Sequence, residues 1–145
     1  MSAMVRGAES AAPAVAPVPS RVRQLLVRAD AELVAAQFSA EAWEQFSHAH
    51  LAAVRAGAAV VAAEGAPTGR SAPRTVWGQL GSVAPSLSRW AALFADAAPL
   101  RAAVEAGRFD LVTTARAEEA LVEAEDFVDV VRAFLVGESQ AARAS

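Results

Sequence analysis

The sequence predicts an all-α protein built as an up-and-down bundle of four to five helices. Alanine, the strongest helix former, contributes 39 of the 145 residues. Larger apolar side chains recur at helical spacing, and no stretch of any length alternates apolar and polar residues as a half-buried strand would. A chain of this length suits one domain with one core. We expect that domain to span residues 20–137.

The two N-terminal helices are predicted from their apolar faces and from the residues that bound them. Ser20 is a candidate N-cap for a helix over residues 21–36. Ser39 is the next candidate cap, and the helical pattern then runs to about Glu64, where Gly65 ends it. A narrow stripe predicts the buried face of this second helix: Trp43, Phe46, His50, Val54, Gly57 and Val61. The glycine on the stripe would let another helix approach closely.

Three further helices are predicted along the second half of the chain. A short one ends before Pro85, a residue that suits the first turn of the next helix. That fourth helix is either continuous or interrupted near Pro99. The fifth covers residues 115–136, with Thr114 as its cap and Gly137 as its C-terminal stop. Each helix is apolar on one side only, so packing these sides together yields a bundle.

The two ends of the chain are predicted to be tails. Residues 1–19 mix alanine with three prolines and lack the leucine-rich run of a secretory signal, so we expect a disordered segment. Residues 138–145 are polar and alanine-rich, and we expect them to be flexible. No stretch approaches the ~20 apolar residues that span a bilayer. We therefore expect the protein to be cytoplasmic and to make no contact with a membrane.

Charge is distributed unevenly along a chain whose net charge is −3. Residues 65–108 have a balance of +3, whereas residues 109–136 have a balance of −5. An anionic ligand would therefore bind in the middle segment, where Arg70, Arg74 and Arg89 are the candidate ligand-binding residues. The alternative is a solvated bundle whose charged faces only keep it in solution.

Sequence motifs of known chemistry are absent. The Gly65–Ser71 segment lacks the spacing and the lysine of a phosphate loop, and no nucleophile elbow, zinc-protease helix or EF-hand loop occurs. Cysteine is absent, and two histidines two positions apart on a helix cannot share a metal, so we expect no metal and no cofactor. Trp43, Trp77 and Trp90 fall at apolar-stripe positions, which favours core packing over base stacking.

The two histidines are the residues whose unperturbed pKa lies near neutrality. His48 falls on the outer face of the second helix, where Glu44 can pair with it. His50 falls on the buried stripe, where burial would depress its pKa and a hydrogen-bond partner would be needed. It is either a satisfied core histidine or a functional histidine at a groove between helices. We therefore take it as a candidate ligand-binding residue and, with Arg55, as a weak catalytic candidate.

Four short segments occur in order along the chain: Ala49-His50-Leu51, Val76-Trp77, Ala84-Pro85 and Arg89-Trp90. In this combination they resemble HEPN domains, the higher eukaryotes and prokaryotes nucleotide-binding superfamily, and in particular a small branch of it from high-GC bacteria. The similarity covers about residues 21–136. The resemblance implies an all-α up-and-down bundle, frequent homodimerisation, and functions that range from RNA cleavage to nucleotide or protein binding.

Three functional hypotheses follow from this resemblance. The family's ribonucleases carry an arginine, four to six residues, and then a histidine; here no arginine precedes either histidine at that spacing, and the nearest pair, His50 before Arg55, is reversed. The first hypothesis is therefore a non-catalytic homodimeric module that binds a nucleotide, RNA or a protein partner. The second is a divergent HEPN-type ribonuclease that uses His50 with Arg55 or with an arginine of the middle segment. The third is a purely structural dimeric interaction module.

Overall fold

The computed structural model describes residues 18–144, in which five α-helices and no strand are present. The helices are α1 (Val18–Gln37), α2 (Ala42–Glu64), α3 (Val76–Val83), α4 (Ser88–Glu105) and α5 (Thr114–Ala144). Single 3-10 turns, Pro85–Leu87 and Phe109–Leu111, precede α4 and α5. The predicted all-α fold is confirmed. The disorder predicted for residues 1–19 falls outside the described residues, except that Val18 and Pro19 already belong to α1.

α1 packs along α2 and α5 and runs antiparallel to α5. The Arg132 guanidinium of α5 pairs with the carboxylate of Asp30 on α1. A second contact joins Gln37 and Glu125, with Gln37 Nε2 donating to Glu125 Oε2 at 2.9 Å. Gln37 lies seven residues after Asp30 on α1, whereas Glu125 lies seven residues before Arg132 on α5. Since seven residues are about two helical turns, the two contacts fix the opposite directions of these helices.

α2 and α5 run parallel and are joined by small side chains. The Arg116 guanidinium lies over the Phe46 ring near the start of both helices, 5.3 Å from the ring centroid. Near the end of α2, the carboxyl group of Glu64 meets that of Glu138. Five buried alanines of the two helices share one apolar cluster: Ala49, Ala52, Ala117, Ala120 and Ala124. We call this contact the alanine seam; its small side chains let the helix backbones lie close together.

Aromatic side chains fill the rest of the core. Trp77 is buried, and its ring centroid lies 5.0 Å from that of Phe94. Phe127 of α5 lies 5.0 Å from Phe94 and 5.5 Å from Trp90. Trp90 itself is half-buried. Trp43 is also half-buried, and its ring stacks at 4.1 Å on Phe109 of the second 3-10 turn. Of the three tryptophans, only Trp77 is buried as the apolar spacing predicts.

Gly57 lies on the buried stripe of α2 at the point where α3 meets it, as predicted. A Cβ at this position would lie 3.1 Å from Trp77 Cζ3 and 3.4 Å from Val76 Cγ2. Such distances are tighter than ordinary van der Waals contact. The missing side chain therefore makes room for the indole of α3 directly against the backbone of α2.

The helix ends differ from the predicted ones because their hydrogen bonds differ. α1 begins before Ser20, which therefore lies inside the helix. Ser39 Oγ donates back to a carbonyl of α1 at 2.7 Å and does not cap α2. Thr113, and not Thr114, caps α5, since its Oγ1 accepts a hydrogen bond from the amide three residues on at 3.0 Å.

Two predicted helix breakers lie inside helices. Pro99 is exposed within α4, so the carbonyl that it leaves without an amide partner lies on the water-facing side. Gly137 is exposed within α5, with no atom within 4 Å of a Cβ placed there. The helix does not stop at this glycine and continues to Ala144, through the segment predicted to be a flexible tail. Both helices therefore continue through these residues.

His48 pairs with a different acid from the one predicted. Its Nδ1 lies 2.7 Å from Glu32 Oε1 on α1, and the side chain is half-buried. The predicted partner, Glu44, shares no hydrogen bond or ion pair with it in the described chain. The prediction was wrong because i,i+4 spacing on one helix ignores the neighbouring helix, whose carboxylate comes within hydrogen-bond distance.

Candidate ligand-binding site

His50 lies halfway along α2 and faces the aromatic core. Only 4% of the residue is exposed. Its ring centroid lies 6.1 Å from Phe46, 6.1 Å from Trp77 and 6.4 Å from Phe94. The rings of Trp77 and Phe94 meet the imidazole edge-on, a favourable arrangement for aromatic pairs. The burial predicted from the apolar stripe is confirmed.

The environment of His50 holds the imidazole neutral. Burial, and to a lesser degree the positive charges of Arg101 and Arg116, lower its pKa to about 4. The predicted hydrogen-bond partner is not found within residues 18–144. The buried imidazole therefore stays uncharged near neutral pH.

The two arginines near His50 are already neutralised by carboxylates. Arg101 Nη2 lies 3.3 Å from Glu105 Oε2. Arg116 Nη1 lies 3.3 Å from Glu119 Oε1 and 3.6 Å from Glu123 Oε1, although neither contact has hydrogen-bond geometry. Because each guanidinium has an acidic neighbour, this part of the bundle offers no open site for an anion.

Arg55, the other weak catalytic candidate, does not approach His50. Five residues along a helix correspond to a rotation of about 140°, and no hydrogen bond, ion pair or ring contact joins the two side chains in the described chain. Arg55 is half-buried, and its Nε is a buried atom without a hydrogen-bond partner. The structure therefore does not assemble the reversed pair into one site.

The three arginines of the basic middle segment lie apart from His50. Arg70 and Arg74 are exposed in the loop between α2 and α3, and Arg89 is exposed in the first turn of α4. None of them forms a hydrogen bond or an ion pair with another residue in the range 18–144. Their guanidinium groups are therefore free to bind an external anion, whereas those near His50 are not.

Arg89 lines a surface cavity at the start of α4. The cavity has a volume of about 420 Å³ and is lined by Ser86, Arg89, Trp90 and Leu93. The Trp90 ring is supported from the core by Phe94 at 6.2 Å and by Phe127 at 5.5 Å. A fixed aromatic surface, a free guanidinium and a hydroxyl group therefore meet in one place. We call it the α4 cavity.

Sequence reasoning found only part of the α4 cavity. It selected Arg89 for its charge and assigned Trp90 to the core, and it considered neither Ser86 nor Leu93 as a site residue. A signal was present in the spacing, since these residues follow the i, i+3, i+4, i+7 pattern that places side chains on one helical face. The pattern includes polar and apolar residues together, so a search for purely apolar stripes does not detect it.

No metal centre is formed by the described residues. Within residues 18–144, no group of three or more histidine, aspartate or glutamate side chains is arranged to hold a metal ion. In the same range, no helix combines the length and the apolar character needed to cross a membrane. The groups available for binding at the α4 cavity are therefore those of arginine, serine and tryptophan.

A family model of SAV_6107-like HEPN domains matches residues 36–132, about two thirds of the chain. This stretch contains α2, α3 and α4 and the first half of α5. It includes both His50 and the α4 cavity. No curated protein and no solved structure matches the chain.

Proposed function

Since the chain belongs to the SAV_6107-like HEPN family, we propose that it is a non-catalytic binding module for a nucleotide or RNA. The observation that carries the proposal is the α4 cavity, in which the unpaired Arg89 lies beside Trp90. Family membership alone does not identify a ligand. The proposal therefore depends on the chemistry of this cavity.

The α4 cavity offers the groups that a nucleotide requires. Arg89 can bind two phosphate oxygens at once through its planar guanidinium. The half-buried ring of Trp90 can stack on a base, a contact that contributes about 1–3 kcal/mol per base. Ser86 adds a hydroxyl that can donate or accept.

The neighbouring loop favours a ligand longer than one nucleotide. Arg70 and Arg74 lie in the loop that leads into α3, and α3 leads directly into the turn that carries Ser86. Arg70, Arg74 and Arg89 are all exposed and have no acidic partner within residues 18–144. Several unpaired guanidinium groups in one stretch of the chain favour a polyanion such as RNA over a single nucleotide.

The module is proposed to be non-catalytic because His50 is poorly suited to acid–base chemistry. A group with a pKa of about 4 is a weak base and holds almost no proton to donate at pH 7. Its enclosure by three aromatic rings also keeps a phosphodiester away from it. The divergent ribonuclease is the alternative, and a cleavage assay distinguishes it.

We propose the homodimer as the form in which the module works. HEPN domains often dimerise, and the dimer would present two α4 cavities to one RNA strand. Two linked sites on one strand raise the overall affinity without any new contact. A protein partner in place of RNA is the outcome that the experiment below would favour if RNA does not bind.

Fluorescence anisotropy of a labelled single-stranded RNA, titrated with the full chain at low and moderate salt, tests the proposal. We expect binding that weakens as salt rises, because phosphate contacts release counterions. Arg89→Ala should weaken binding at least about tenfold, since a hydrogen bond to a charged group contributes about 1.5–3 kcal/mol. The matched control is Arg108→Ala, which removes an exposed and unpaired arginine beyond the other end of α4.

Each result of this titration has one meaning. Equal losses in the Arg89 and Arg108 variants would show non-specific attraction and overturn the α4 cavity as the site. No binding at either salt would overturn the RNA ligand and favour the protein-interaction hypothesis. Cleavage of the labelled RNA would overturn the non-catalytic assignment, and cleavage that persists in His50→Gln would exclude that histidine as the catalytic group.

A further inference from the structure

Three arginines on α1 and α2 carry charges that the rest of the described chain leaves unpaired. Arg21 and Arg28 lie on α1 and are exposed, and Arg55 lies on α2 and is half-buried. None of the three shares a hydrogen bond or an ion pair with another residue in the range 18–144. We call them the edge arginines, because the helix geometry places all three along one edge between α1 and α2.

The contact between Glu32 and His48 fixes this edge. α1 and α2 run antiparallel and are joined there at 2.7 Å, and a second side-chain hydrogen bond joins them at 3.3 Å nearer the turn between the helices. Arg55 follows His48 by seven residues, about two helical turns, so it lies on the same line along α2. Arg28 and Arg21 precede Glu32 by four and eleven residues, about one and three turns, so they lie close to its line along α1.

The rise along the two helices places the α2 arginine between the two of α1. Measured from the Glu32–His48 contact toward the start of α1, the backbone lies at about 6 Å for Arg28, about 10.5 Å for Arg55 and about 16.5 Å for Arg21. These steps of about 5–6 Å suit side chains as long as arginine. A surface cavity lies at this point on α1 and is lined by Arg21, Gln24, Leu25 and Arg28.

The edge arginines have bonding capacity that the fold leaves unused. Nε of Arg55 is a buried atom without a hydrogen-bond partner, a state that costs free energy in the folded chain. Glu32, one turn from Arg28, is engaged by His48 and forms no ion pair with that arginine within residues 18–144. Like charges along one edge repel one another. An anion that lies among them would relieve the repulsion and accept their hydrogen bonds.

We propose that the edge arginines and Gln24 form a second anion site, which binds a diphosphate group. Guanidinium groups bind phosphate oxygens in pairs, and the glutamine amide can donate a further hydrogen bond. Two linked phosphates present oxygens over a greater length than one phosphate does, and they carry more negative charge to match three cations. The site lies on α1 and α2, apart from the α4 cavity, so it does not depend on the RNA ligand proposed above.

Isothermal titration calorimetry of the full chain with inorganic pyrophosphate, in a low-salt buffer without divalent cations, tests the proposal. We expect saturable binding at least about tenfold tighter than that of orthophosphate, because the second phosphate adds charge-assisted hydrogen bonds. Arg28→Gln and Arg55→Gln should each weaken pyrophosphate binding at least about tenfold for the same reason. The matched control is Arg108→Gln, at an exposed and unpaired arginine beyond the far end of α4, and it should leave the affinity unchanged.

A parallel titration with a nucleoside diphosphate identifies the source of the group. Equal affinity for the two compounds would indicate that the site contacts the diphosphate alone, whereas tighter binding of the nucleoside diphosphate would indicate an additional contact to the nucleoside. Both results support the site, since its arginines bind the part that the two compounds share.

Urea denaturation provides a second measurement. A ligand that binds only the folded chain stabilises it, so pyrophosphate should raise the urea midpoint of the natural protein and of Arg108→Gln. The midpoint of Arg28→Gln should rise much less. Arg28 is exposed, so this variant should fold even if the half-buried Arg55→Gln does not, and circular dichroism checks both.

Four results would contradict the proposal. Pyrophosphate that produces no saturable heat would overturn the site, and equal affinity for orthophosphate would overturn the diphosphate as its ligand. An equal loss in Arg108→Gln would show non-specific attraction to positive charge. A loss in Arg89→Gln with none in Arg28→Gln would place the diphosphate in the α4 cavity instead. A folded Arg55→Gln that binds as tightly as the natural protein would overturn the contribution of α2.

Discussion

The substitution His50→Gln should make the stability of the bundle less sensitive to acid. Burial, with smaller contributions from Arg101 and Arg116, lowers the pKa of His50 in the folded chain to about 4, against about 6.5 in the unfolded chain. Between these two pH values the unfolded state binds a proton that the folded state does not. The free energy of unfolding of the natural protein therefore falls as the pH falls through this window.

The pKa difference fixes the size of the effect. The difference of about 2.5 between the folded and unfolded pKa values corresponds to a loss of about 3 kcal/mol in the free energy of unfolding once both states are protonated. At pH 5 the folded histidine is still largely neutral and the unfolded one is largely charged, so about 2 kcal/mol of stability relative to pH 7 is already lost. The glutamine variant has no group to titrate at this position and should not lose this amount.

Urea denaturation of both proteins at pH 7 and pH 5, followed by circular dichroism, measures the effect. Any loss of packing from the glutamine is the same at both pH values, so only the change in the stability difference between the two proteins counts. Burial raises the pKa of Glu64 and of Glu123. Both carboxyl groups titrate in the natural protein and in the variant, so their effects on stability cancel in the difference between the two proteins. A stability difference between natural protein and His50→Gln that is equal at the two pH values would refute the burial argument.

Four further predictions can be checked by the same urea denaturation at pH 7. Gly78→Ala should destabilise the fold by about 1–3 kcal/mol, because a proline Cβ lies 2.7 Å from the new methyl group. Gly81→Ala on the same helix meets no atom within 4 Å and should stabilise it by up to about 1 kcal/mol. Thr113→Ala should cost about 1 kcal/mol through the lost cap, whereas Thr114→Ala should cost less. Pro99→Ala should stabilise α4, since the proline removes a helix hydrogen bond at an exposed position; a loss of stability would contradict this.

The helices could be predicted from the sequence because alanine content and apolar spacing are local properties. Their ends could not, because tertiary hydrogen bonds decide them. Ser39 has the right residue type for a cap, yet its hydroxyl bonds back to α1. Gly137 has the right type for a stop, yet nothing in α5 requires the helix to turn there. The sequence predicts which segments are helical and leaves open where each helix begins and ends.

The candidate site was predictable to a smaller extent for the same reason. The burial of His50 follows from the spacing on its own helix. Its charged neighbours do not, because Arg101 and Arg116 come from helices whose rotation the sequence pattern leaves open. Arg89 was identified by charge, but its position beside Trp90 depends on the aromatic cluster that holds the indole in place. The charge distribution of the sequence indicated the basic middle segment, whereas the position of the α4 cavity within it depends on tertiary packing.

The alanine seam between α2 and α5 restricts the kinds of substitution that the protein can accumulate. Alanine has no atoms beyond Cβ to lose, so truncation cannot open a large void there, and folding fixes no side-chain rotamers. Enlargement is the damaging direction, because any longer side chain must push the two backbones apart. Sequence drift at these positions is therefore confined to residues of about the same size. The aromatic core can exchange volume among its large side chains, whereas an enlarged seam residue depends on the few larger neighbours in its cluster, such as Phe46 and Val104, to give way.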